Sequence, residues 1–165
     1  MEAGSPRRLS LDTNLLFDLA DEKDFAHDFH ETYQRKGYAL VICPTVVAEL
    51  YFLREHGDTE EQRLATLSLC QIASWDIQVF PLTGVQLDIA WRFAAAVVGR
   101  GLLPETEIND SRILAETAVA AIPLLVSSDR HLLDVDPDSL HAACAEADLA
   151  PTFIVSPRRL LRAVR

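Results

Sequence analysis

The chain has 165 residues, of which 49% are hydrophobic, and a formal charge of −10. That length suits one ordinary domain with a real core, and two would be cramped. The charge argues against a nucleic-acid binder of the broad, phosphate-neutralising kind, which depends on a basic face, but it leaves room for a nuclease whose acids hold divalent cations, because the ions then present positive charge to a phosphate.

The first seven residues read as a flexible tail. After them, "RRLSLD" has the pattern of a strand, "TNLLFDLA" and "KDFAHDFHETYQRK" of helices, and "YALVIC" of a second strand. "PTVVAELYFLREH" and "TEEQRLATLSLCQIA" continue as helices, followed by the strand "DIQVFPL", the long helix "GVQLDIAWRFAAAVVGR" and the loop "GLLPETE". The helix "NDSRILAETAVAA" leads to a strand in "IPLLVSS", a short helix in "PDSLHAACAEA", a last strand "TFIVS" and a basic helix "PRRLLRAV". Helices separate the five strands, and the second and fourth are almost continuously apolar. The pattern predicts a mainly parallel sheet covered on both faces, a three-layer α/β/α domain of the Rossmann-like class.

No stretch is long and apolar enough for a signal peptide or a membrane span, so a cytoplasmic protein is expected. Cys43, Cys70 and Cys144 are odd in number, far apart and outside any CxxC or Cys/His grouping. They suggest neither a disulfide framework nor a zinc site and are read as small core residues.

Four acids stand where acids are costly. Asp12 ends the first strand and Asp129 follows the fourth, and in open parallel sheets ligands bind beyond those carboxyl ends. Read singly, Asp12 is a helix N-cap, with Thr13 an equal candidate, and Asp129 is a turn acid. Glu49 has Val46, Phe52 and Leu53 as helical neighbours, which sets it in the apolar stripe or at its margin. Asp110 lies under Ile113 and Leu114 at the start of a helix, where it competes with Asn109 as a cap. Clustering would account for all four positions at once. Carboxylates brought together repel and raise one another's pKa, and a hard divalent cation with oxygen ligands relieves that repulsion.

The succession "LDTN", "PTVVAEL", "NDSRILAETA" and "LLVSSDRHLL" resembles the PIN domain, a family that includes the VapC-type ribonuclease toxins of toxin–antitoxin pairs. The resemblance runs from about residue 8 to the closing "PTFIVSPRRLL" and implies a single PIN-like domain over residues 1–165. It implies strand order 3-2-1-4-5, which makes strands one and four neighbours, and metal-dependent cleavage of RNA. Matched residue by residue, Asp12, Glu49, Asp110 and Asp129 correspond to the family's catalytic, metal-holding acids, Thr13 and Asn14 to the polar pair after the first, and Ser128 to the hydroxyl before the last. Two features depart from the pattern: the long segment "DVDPDSLHAACAEADLAP" and the acidic balance.

One or two Mg²⁺ or Mn²⁺ ions on these acids would polarise the scissile phosphate and activate water for in-line attack. Arg112 and Arg130, each within two residues of a cluster acid, are the leading candidates to face RNA. The C-terminal group Arg158, Arg159, Arg162 and Arg165 is explained as well by the helix dipole. None of the five histidines sits in a nucleophile motif. The resemblance further implies a homodimer and a small antitoxin partner. The competing reading is a PIN-like docking module without catalysis. A haloacid-dehalogenase-type phosphatase would need an acid where Asn14 stands, and a response-regulator receiver a late lysine that this chain lacks.

Overall fold

The computed structural model describes residues 6–164; the expected tail lies outside the described residues except for Pro6 and Arg7, which are exposed and lead into the first strand. The elements in chain order are β1 (Arg8–Leu11), α1 (Thr13–Ala20), α2 (Asp24–Arg35), β2 (Ala39–Ile42), α3 (Pro44–His56), α4 (Thr59–Gln71) and β3 (Gln78–Val79). They continue with α5 (Gly84–Gly99), α6 (Ile108–Val119), β4 (Leu124–Val126), α7 (Arg130–Leu133), α8 (Pro137–Glu146), β5 (Phe153–Val155) and α9 (Pro157–Ala163). The sheet runs β3-β2-β1-β4-β5, and every neighbouring pair is parallel. Both the α/β class and the order 3-2-1-4-5 agree with the sequence expectation.

Successive side chains of a strand point to opposite faces, yet Leu9, Ser10 and Leu11 are all buried, as are Leu40, Val41 and Ile42. Helices therefore cover both sides of the central strands, which makes three layers. Even Ser10 is accommodated, because its hydroxyl shares a 2.8 Å hydrogen bond with Thr117 of α6 inside the core. β1 pairs with β2 through Leu9 opposite Leu40, and with β4 through Leu11 opposite Val126. Its two neighbours are reached by connections that run in opposite directions, so the crevice of the fold opens beyond the ends of β1 and β4.

Local chemistry sets several element ends. Thr83 and Gln86 form a capping box that starts α5. Gly37, at φ +80°, closes α2 in the left-handed conformation, with its N–H donating to Gln34 O and that of Tyr38 to Tyr33 O.

Three expectations change. β3 shrinks to Gln78–Val79, both exposed at the sheet edge. The four-residue helix α7 was not foreseen; one turn carries no readable period. Cys70 is exposed, whereas Cys43 and Cys144 are buried, and all three are free. No helix among the described residues is long and apolar enough to cross a membrane.

Candidate active site

Asp12 leaves β1 and precedes α1, yet its side chain makes no capping bond to that helix. It is 2% exposed, and its Oδ2 instead accepts a 2.5 Å hydrogen bond from Ser127 Oγ, on the segment leaving β4. The same Ser127 oxygen accepts from the N–H of Asp129 at 2.9 Å. One hydroxyl thus ties the two strand-end acids together. Asp129 does cap α7, as its turn reading anticipates: Oδ1 accepts from the amides of His131 at 2.7 Å and Leu132 at 3.4 Å. Its Oδ2 faces the other way and accepts from Asn14 Nδ2 at 3.2 Å.

Glu49 comes from α3 and is bracketed by two donors, Thr13 Oγ1 at 2.5 Å and Asn109 Nδ2 at 3.1 Å. Asp110 stands in the first turn of α6, whose N-cap position belongs to Glu107 and carries no side-chain cap bond. Neither Asn109 nor Asp110 is therefore the cap expected from sequence.

Electrostatics bind the set together. Burial pushes the Asp12 carboxyl up to about 7; donation from Ser127 opposes the shift and the charge of Glu49 adds to it. Asp110 is pushed up to about 8, first by burial and then by the charges of Asp12, Asp129, Glu107 and Glu49. The four acids foreseen in the sequence come together, and Glu107 joins them.

Two observations fit a divalent cation to this group. Asp110 Oδ2 is buried with no hydrogen-bond partner among the described residues, a costly state that a bound cation would relieve. The available donors are carboxylate and amide oxygens, the set that suits Mg²⁺ or Mn²⁺. Among the described residues no three His, Cys, Asp or Glu side chains close into a cage, and Asp12, Glu49 and Asp129 each accept hydrogen bonds from protein donors. Mg²⁺ is commonly held by only one or two carboxylates, with water completing its shell, so an open set remains compatible with it.

The residues expected to meet substrate are placed less uniformly. Thr13 is 4% exposed with its hydroxyl given to Glu49, and Asn14 holds Asp129; both bracket acids. Ser128 points out of the cluster and donates at 2.8 Å to the buried Asp18, which also pairs with Lys23 at 2.6 Å. Arg130 is exposed and pairs with Asp134 at 3.4 Å, while Arg112 lies over the Trp91 ring at 5.2 Å. Arg165 lies outside the described residues.

Sequence reasoning missed Ser127, Glu107 and Glu116, and read Asn109 only as a competing cap. The buried Glu116 of α6 accepts from Thr45 N at 3.0 Å and from Thr45 Oγ1 at 2.6 Å. It thereby caps α3, whose own N-cap, Cys43, offers no side-chain bond. A Glu amid the apolar positions of "RILAETAVA" was the available signal for Glu116; the roles of the other two and of Asn109 depend on contacts across the fold.

Among solved structures, the chain is similar to VapBC2 from Rickettsia felis bound to a DNA fragment from its promoter, at 14% identity and a TM-score of 0.62, covering 90% of this chain and 98% of that one. It is also similar to VapBC-1 from nontypeable Haemophilus influenzae, at 16% identity and a TM-score of 0.53, covering 78% and 95%. At such identities the likeness is one of fold. No curated protein matches the sequence. The family model of the PIN domain matches residues 9–137, a span that starts in β1 and contains Asp12, Glu49, Asp110 and Asp129. With that span covering most of its length, the chain belongs to the PIN domain family.

Proposed function

We propose that this PIN domain is a metal-dependent endoribonuclease in which Asp12, Glu49, Asp110 and Asp129 are the catalytic, metal-holding residues. The observation that carries the reading is the unpartnered, buried Oδ2 of Asp110 inside a group of mutually repelling carboxyls. One or two Mg²⁺ or Mn²⁺ ions, when bound, supply polarisation of the scissile phosphate and activation of water for in-line attack. The chain's own part is orientation and proton management. Ser127 fixes Asp12, Thr13 and Asn109 fix Glu49, and Asn14 fixes Asp129. Burial and neighbouring charge push the Asp12 and Asp110 carboxyls up to about 7 and about 8, so a cation that took them as ligands would displace whatever protons they carry. Arg130, exposed beside Asp129, is available to a phosphate.

The likeness to VapBC structures supports extending the reading to the toxin of a toxin–antitoxin pair, acting in the cytoplasm with a small antitoxin as partner. The test is cleavage of labelled single-stranded and hairpin RNA by purified protein. Cleavage is expected with Mg²⁺ or Mn²⁺ and not in excess chelator, and Asp110→Asn should abolish it. Full activity in chelator, or none with either metal, overturns the reading.

A further inference from the structure

Beside the acids a groove of about 590 Å³ opens between α3, α5 and α6, a size typical of small-ligand pockets. Glu49 and Asn109 form part of its lining, so it is continuous with the candidate active site. Phe52 and Trp91 also line it and are 60% and 52% exposed, whereas the other tryptophan, Trp75, is 7% exposed in the core. Arg112 completes this side of the groove. Its guanidinium lies 5.2 Å from the centroid of the Trp91 ring, and among the described residues no carboxylate lies within ion-pair distance of it.

An unpaired cation on an open indole, next to a cluster of acids in a chain of charge −10, is a specific combination. The acids repel a phosphate until a cation is bound, so a strand entering the site needs affinity from somewhere else. Aromatic faces and guanidinium planes provide it by stacking unpaired bases, worth about 1–3 kcal/mol per base. Arg112 is the charge complement of the adjoining phosphate. A base inside a duplex is already stacked and presents no free face.

We propose that Trp91 and Arg112 form a stacking platform for one unpaired nucleobase of the RNA strand, adjacent to the phosphate addressed by Asp12, Glu49, Asp110 and Asp129. The platform deepens the nuclease reading and rests on it for the identity of the strand. It selects single-stranded or loop RNA over duplex.

The test uses a Trp75→Phe background, in which Trp91 is the sole tryptophan, at low salt and in chelator so that no cleavage occurs. A single-stranded oligoribonucleotide should quench Trp91 emission saturably, and a blunt RNA duplex of the same length should not. Trp91→Ala should weaken strand binding, followed by polarisation of labelled RNA, by about 5- to 150-fold, with Trp91→Phe recovering part of the loss. Arg112→Ala should weaken it less. With metal, Trp91→Ala should raise KM while leaving kcat closer to wild type. Absence of quenching, equal quenching by duplex, or unchanged binding by Trp91→Ala overturns the platform. So does Trp91 emission that shifts to the blue with protein concentration in the absence of RNA, which would assign this face to a second copy of the chain. The two readings fail separately. Normal metal-dependent cleavage by Trp91→Ala removes the platform and keeps the nuclease, whereas strand-specific quenching without cleavage under any metal keeps the platform and removes the nuclease.

Discussion

At the scale of single residues, Asp12 and Asp110 govern how stability responds to pH. Unfolded carboxyls of this type titrate near pH 4, whereas in the fold these two are pushed up to about 7 and about 8. Between those limits the folded chain binds more protons than the unfolded chain, so stability falls as pH rises through the window. Metal-free protein should therefore melt at a higher temperature near pH 5.5 than near pH 8.5, measured by calorimetry in chelator. Asp12→Asn keeps the shape and removes one charge, which should relieve about 1–2 kcal/mol of repulsion at the alkaline end. Its metal-free melting temperature should rise by about 2–8 °C there, with a flatter dependence on pH. Mg²⁺ should stabilise the wild type by mass action and the variant far less. A variant that melts lower than wild type in chelator, with the same response to Mg²⁺, would make Asp12 a structural acid.

At the scale of elements, the site depends on the seam between α3 and α6, which deliver Glu49 and Asp110. Glu116 crosses that seam to bind the amide and hydroxyl of Thr45 in the first turn of α3. Removing it leaves two partly buried donors without an acceptor, at about 1–3 kcal/mol for each unsatisfied group. Glu116→Ala should lower the melting temperature by several degrees and speed hydrogen exchange in the first turn of α3, with α9 unaffected. It should also weaken the site, because Asn109, on α6, holds Glu49, on α3. Exchange rates in α3 equal to those of wild type would show that packing alone secures the helix.

For the whole molecule, the charge of −10 gives the chain no general attraction for a polyanion, so the recognition of RNA proposed above has to be local. Of the exposed apolar side chains, Tyr51, Val85 and Ile108 lie on the helices that border the groove, whereas Phe153 lies on the edge strand β5, and the homodimer that the family resemblance implies has to form through a face that leaves Trp91 open. Sedimentation at micromolar concentration should show a homodimer, or a complex when the protein is co-expressed with a small partner. A monomer under both conditions would count against self-association.

Strand and helix order were legible in the sequence because periodicity is local: "ALVI" is apolar at every position, as a strand covered on both faces must be. The four acids were legible for related reasons, since Asp12 and Asp129 stand at strand ends and Glu49 and Asp110 stand on the apolar side of their helices. Tertiary structure alone decided what each acid touches. Asp12 and Thr13 look like alternative caps in "LSLDTN", and the fold gives one to Ser127 and the other to Glu49. Ser127 and Ser128 are adjacent and chemically identical, yet the direction of the backbone as it leaves β4 sends the first hydroxyl to Asp12 and the second to Asp18. Trp91 could have been one more core aromatic of an apolar helix. Its exposure, and the cation stacked on it, follow from how α5 packs against α6. Those outcomes depend on contacts between residues far apart in the chain, which no local pattern encodes.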